Sequence, residues 1–82
     1  MRVIGYRPTE FIGKNGDVIK GAFITLAHPL DNVGGIGYKP TKKEHYLKAD
    51  DVIKYNVLDI ITQQKDIKVE FNYGKICNIT EI

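Results

Sequence analysis

The chain has a single cysteine, Cys77, and no serine. One cysteine cannot form an internal disulfide, which argues against a disulfide-stapled secreted domain. We expect Cys77 to be a buried small hydrophobe, because no neighbouring charge in the sequence favours its thiolate. Without serine there is no serine–histidine pair, and no paired-carboxylate pattern occurs. We therefore expect no catalytic residues and no enzyme activity.

Long apolar runs are also missing. No segment approaches the ~20 apolar residues that a membrane span requires. The opening segment, MRVIGYRPTE, contains no apolar stretch long enough for a signal peptide. We expect no membrane partner, and a reducing, cytoplasmic location.

Signatures of metal and cofactor sites are lacking as well. His28, His45 and Cys77 are too scattered for a zinc site, so we expect no metal and no cofactor. The glycines of VGGIGYK lack the following helix or the lysine in register that a phosphate cradle needs. We interpret residues 33–37 as a flexible loop, and leave open whether it orders over a bound strand.

What is present is typical of a small β domain. The chain has 82 residues, of which 43% are apolar and 27% charged, so residues 1–82 form one globular domain. Isoleucine, valine and tyrosine dominate the apolar set and favour strands.

Residues 5–30 predict one long hairpin. Asn15-Gly16 is typical of a type I′ turn, which would place Ile12 opposite Ile19. Alternation directs the side chains at positions 22, 24 and 26 inward. The first strand keeps this parity only with a bulge near Gly5 or a bend at Pro8.

The remaining elements follow in order. We predict a third strand over residues 36–47, a helix over residues 50–62 that frays or breaks near Asn56, and a hairpin of two final strands around Gly74. In IKVEFNY, alternation puts four apolar side chains on one face, so we expect Tyr73 to belong to the core.

Five strands with a helix between the third and the fourth predict a mainly β, OB-fold-like small barrel. The phrases VIGYRPTEF, KNGDVIKG and IKVEFNYGKICNI sit in a layout that resembles the small single-stranded-DNA-binding proteins of phages and mobile elements. The layout is also similar to that of the helix-destabilising proteins of filamentous phages. This resemblance implies sequence-independent DNA binding in replication or recombination, and a homodimer.

Proteins that bind single strands combine stacking rings with cations. In this chain the candidate rings are Tyr6, Phe23, Tyr38 and Tyr46. Arg7, Lys20, Lys39, Lys42 and Lys43 are candidate phosphate contacts, and Lys14 and Lys75 lie at the hairpin tips. Tyr6 and Phe23 serve equally well as core residues. Lys39, Lys42 and Lys43 serve equally well as charges on a solvated sheet edge that prevent another sheet from pairing with it.

Two functions therefore stay open. The first is non-catalytic binding of single-stranded DNA, or of RNA. The second is a protein-interaction module, such as a mobile-element inhibitor or adaptor that engages a host protein. The low net charge of +2 and the separation of the basic segment around residues 38–48 from the acidic segment at 50–59 motivate the second.

Overall fold

The computed structural model describes residues 1–82 and shows an antiparallel, mainly β fold. It contains six strands, two short helices and one 3-10 turn at Asp31–Val33. The strands are β1 (Arg2–Ile12), β2 (Val18–Pro29), β3 (Tyr38–Pro40), β4 (His45–Lys48), β5 (Ile67–Asn72) and β6 (Lys75–Glu81). The helices are α1 (Ala49–Lys54) and α2 (Val57–Thr62).

The strands form two sheets that do not close into a barrel. In the first sheet β2 pairs with β1 along one edge and with β3 and β4 along the other, while β5 and β6 form a separate two-stranded sheet. One backbone hydrogen bond, from the Ile67 N–H to the Met1 carbonyl, joins them. The predicted mainly β fold is confirmed, but the strands number six rather than five and do not form the predicted small barrel.

The third predicted strand is divided into β3 and β4. Both pair with β2, but residues 41–44 between them do not. β3 ends at Pro40, one further backbone hydrogen bond runs from the Thr41 N–H to the Leu26 carbonyl at 2.8 Å, and strand pairing resumes at His45.

The first hairpin turn differs from the predicted type I′ turn. The Gly13 N–H donates to the Asp17 carbonyl at 2.8 Å, and the Gly16 N–H donates to the Gly13 carbonyl at 3.0 Å. Of the two central residues, only Gly16 has a positive φ, of 80°. The result is a three-residue loop with a left-handed third residue, which shifts the register by one and pairs Ile12 with Val18.

Two other predictions about the hairpin are confirmed. Ala22, Ile24 and Leu26 are fully buried on the inner face. The register shifts between Val3 and Gly5, which is the predicted bulge.

The β5–β6 hairpin corrects two predictions. Tyr73 and Gly74 have φ values of 52° and 76° and form the two-residue turn, so Tyr73 is 98% exposed and not part of the core. Cys77 is exposed rather than buried. It lies where the register shifts, because Phe71 pairs with Ile76 and Glu70 pairs with Asn78.

The helical segment breaks where the sequence predicts. Asn56, between α1 and α2, has a left-handed φ of 52°. Asparagine tolerates this conformation better than most residues, so the chain turns without a glycine.

The core lies between the inner face of β2, the helices and β5. Its largest fully buried side chains are Ile24, Leu26, Val57, Ile60 and Ile67. Each contributes roughly 1.5–3 kcal/mol by leaving water. The molecule is elongated, with extents of 50 × 23 × 20 Å.

Candidate nucleic-acid interface

A row of three side chains crosses the outer face of the first sheet. Arg7 on β1 pairs with Phe23 on β2, and Phe23 pairs with Tyr46 on β4. Strand alternation puts this row on the face opposite the buried Ala22 and Ile24. The sheet register therefore brings together three residues that sequence analysis identified separately as candidate ligand contacts.

The row is a packed cluster. The Phe23 and Tyr46 rings meet edge to face, with centroids 5.4 Å apart. The Arg7 guanidinium carbon lies 4.7 Å from the centroid of the Phe23 ring, within cation–π range. Phe11 extends the cluster toward the hairpin tip, with its centroid 6.2 Å from that of Tyr46.

Gly21 determines where the Tyr46 ring lies. A Cβ at this position would come within 2.6 Å of Tyr46 Cε2 and of the Leu47 carbonyl oxygen. The ring therefore crosses the strand directly over Gly21, where any side chain would displace it. Tyr46 remains 37% exposed, so part of the ring can contact a ligand.

A cleft of about 520 Å³ opens beside this cluster, between β4 and the turn of the β5–β6 hairpin. Three lysines line it, Lys43, Lys48 and Lys75, together with the Phe23 and Tyr46 rings. The carboxylates in the lining are Glu44 and Asp51, and Glu44 is paired with Arg7. The cleft thus combines aromatic surface with an excess of positive charge.

His45 forms part of the same lining, and its ring centroid lies 5.2 Å from that of Phe71. Partial burial, together with the positive charge of Lys43, lowers the pKa of His45 below its ordinary value. The imidazole is therefore neutral at pH 7 and contributes ring surface to the cleft rather than charge.

The structure brings five of the nominated residues to this place: Arg7, Phe23, Lys43, Tyr46 and Lys75. Tyr6 lies on the inner face, half-buried against the core. Lys20 is exposed beside Glu10, with 3.8 Å between Nζ and Oε1. Lys14 is at the tip of the first hairpin.

Tyr38 belongs to a different cluster. Its hydroxyl donates to Asp66 Oδ1 at 2.9 Å, and the Arg2 guanidinium carbon lies 4.5 Å from its ring centroid. The hydrogen bond raises the pKa of Tyr38 and, from the other side, lowers the pKa of Asp66. Lys39 and Lys42 are exposed and line no part of the cleft.

Sequence analysis missed several residues that line the cleft, among them Lys48, His45 and Glu44. Lys48 shares alternation parity with Tyr46 in HYLK, so a stricter use of the two-residue period would have found it. No local pattern could have identified His45, because the ring that it packs against belongs to Phe71 on β5, 26 positions further along the chain.

A second, more apolar groove of about 500 Å³ lies on the inner face, between the hairpin and the helices. Its apolar lining includes Tyr6, Pro8, Val52, Ile53 and Leu58. Lys20 and Glu10 also line it. This groove holds two of the nominated residues, Tyr6 and Lys20, apart from the cleft.

Neither helix has the length and apolar character that crossing a membrane requires. Comparisons with family models, with curated proteins and with solved structures found no match to this chain.

Proposed function

We propose that this protein binds single-stranded nucleic acid without sequence preference and without catalysis. DNA is the expected ligand, and RNA is the alternative. The observation that carries the proposal is the cleft, where the exposed part of Tyr46 lies beside Lys43, Lys48 and Lys75.

The chemistry of the cleft suits this ligand. Each base stacked on an aromatic ring contributes roughly 1–3 kcal/mol, whatever the base. Lysines on both walls of the cleft place positive charge where a phosphate backbone would run. Stacking and charge together need no base-edge contacts, which is why sequence would matter little.

The arrangement of elements also supports the proposal. Helical segments follow the strands that pair with β2, and a hairpin follows the helices, which is the order of an OB-like fold. We include in the proposal a homodimer, a cytoplasmic location, and a role in the replication or recombination of a phage or mobile element.

The test is a titration of a poly-dT oligonucleotide, followed by tyrosine emission, at several salt concentrations. Three lysine–phosphate contacts give a slope of log K against log [salt] of about −2, from roughly 0.7 per contact on a single strand. Double-stranded DNA should bind more weakly, since paired bases offer no free face. Absence of binding at low salt, or affinity that ignores salt, contradicts the proposal.

A matched pair of lysine variants locates the site. Lys75 and Lys14 are both exposed residues at hairpin turns, but only Lys75 lines the cleft. Lys75→Gln should weaken binding and reduce the salt slope by about 0.7. Lys14→Gln should change neither, and equal losses for the two variants would place the strand elsewhere.

Phe23→Ala separates stacking from folding. Phe23 is half-buried on the outer face, so its loss should weaken dT binding while the chain stays folded. Far-UV circular dichroism before the titration reports the fold. An unfolded variant would instead assign Phe23 to the core.

The second candidate function is protein interaction, and the first hairpin favours it. Phe11 and Ile19 on one face of its tip are each 47% exposed, while Ile12 and Val18 on the other are 82% and 59% exposed. Capture from nuclease-treated host lysate should recover a stoichiometric partner. Ile12→Lys should abolish that capture and leave dT binding intact.

A further inference from the structure

Glu44 holds the one arginine of the aromatic cluster. Arg7 Nη2 donates to Glu44 Oε1 at 3.1 Å, and Arg7 Nε lies 3.4 Å from Glu44 Oε2. The two residues are 37 positions apart in the chain, so the sheet register creates this contact. The carboxylate thereby fixes the guanidinium over the face of Phe23.

A phosphate group can take the place of this carboxylate. Both present oxygens that accept two parallel N–H bonds from a guanidinium. The Arg7 and Glu44 side chains are 60% and 44% exposed, so a ligand reaches the pair without any opening of the fold. Glu44 also lines the cleft proposed to hold the strand.

We propose that Glu44 is an internal competitor of the nucleic-acid phosphate. In the free protein it occupies Arg7, and a bound strand replaces it there, so Glu44 lowers affinity and sets how readily the strand is released. This inference rests on the proposed function and adds an affinity-determining residue to it.

The other carboxylates nearby do not have this arrangement. Asp51 lines the cleft but forms no ion pair. Glu10 pairs with Lys20 at 3.8 Å and lines the opposite groove. Glu10 is therefore a matched control, an exposed glutamate that pairs with a cation on a strand but lies outside the cleft.

The experiment measures dT affinity over a salt series for the wild type, Glu44→Gln, Arg7→Gln, the double variant and Glu10→Gln. Glutamine keeps the shape of glutamate and removes its charge. Glu44→Gln should tighten binding about fivefold at low salt, the upper range for an exposed ion pair. Its salt slope should stay close to that of the wild type, because the bound strand contacts Arg7 in both proteins.

The double variant decides the mechanism. If Glu44 acts by occupying Arg7, then Glu44→Gln should gain little once Arg7 is already glutamine. An equal gain with and without Arg7 would show that Glu44 only repels phosphate, which contradicts competition. Glu10→Gln should bind like the wild type.

Failure of this inference is distinct from failure of the proposed function. A wild type that binds dT, with Glu44→Gln no tighter, overturns the competition and leaves the function standing. Absence of binding by the wild type and every variant at low salt overturns both.

Discussion

Gly21→Ala tests how the aromatic cluster of Phe23 and Tyr46 is built. The added methyl would lie 2.6 Å from both the Leu47 carbonyl oxygen and Tyr46 Cε2. The ring can swing away, but the carbonyl belongs to the backbone of the paired strand β4. Both must shift, so the cost includes strain in the sheet as well as loss of the Phe23–Tyr46 contact.

Overpacking of this kind costs about 1–3 kcal/mol of unfolding free energy. For a domain of this size, each kcal/mol lowers Tm by about 4–8 °C. We therefore expect Tm to fall by roughly 5–20 °C in a melt followed by far-UV circular dichroism. Affinity for dT at 10 °C, where the variant is still folded, should also fall because the Tyr46 ring is displaced.

Gly13→Ala is the matched control. Its Cβ would lie 3.3 Å from Ile19 Cδ1, the flexible end of an exposed side chain. We expect a change within ±0.5 kcal/mol, as at other surface positions. If Gly21→Ala is as stable as Gly13→Ala and binds dT like the wild type, the Tyr46 ring does not lie over Gly21 and the reasoning is wrong.

Three further predictions concern the core and the titrating groups. Ile24→Ala, at a fully buried position, should cost about 2–5 kcal/mol in urea unfolding. The hydrogen bonds from Tyr38 and Arg2 lower the pKa of Asp66, so its contribution to stability is present above the ordinary pKa of 3.8 and is lost as pH falls through the folded value. In urea unfolding between pH 5 and 2, Asp66→Asn should lack the part of the decrease in unfolding free energy that comes from protonation of Asp66. Burial lowers the pKa of His45, so the free energy of unfolding should decrease as pH falls below 6.5. NMR titration should place the midpoint of His45 in the folded protein below its midpoint in the urea-unfolded chain. A midpoint at or above the unfolded value would contradict the burial.

The local sequence pattern was sufficient to predict several elements of the fold. Alternation over residues 22–26 identified the buried face of β2, because side chains on a strand alternate whatever the strand packs against. The helix break near Asn56 was predictable from the β-branched residues that follow it. The bulge before Gly5 followed from a conflict of parity within the first strand.

Turn geometry was less predictable. Asn15-Gly16 favours a two-residue turn, yet the chain uses three residues there. The tight turn predicted at Gly74 is confirmed, with Tyr73 and Gly74 as its two residues. Loop lengths that differ by one residue differ little in local energy, so the packing of the flanking strands decides between them. In the β5–β6 hairpin, the position of Tyr73 in the turn leaves its side chain exposed.

The sequence by itself determined the small antiparallel β domain, its long hairpin, and the aromatic and basic residues that are candidates for a binding surface. Only the tertiary structure decided which of those residues meet. Arg7, Phe23 and Tyr46 form one row because of the register of β1, β2 and β4, and Lys75 joins them across a cleft between two sheets. Periodicity is a property of neighbours along the chain, whereas the packing of one sheet against another depends on the summed burial of distant residues.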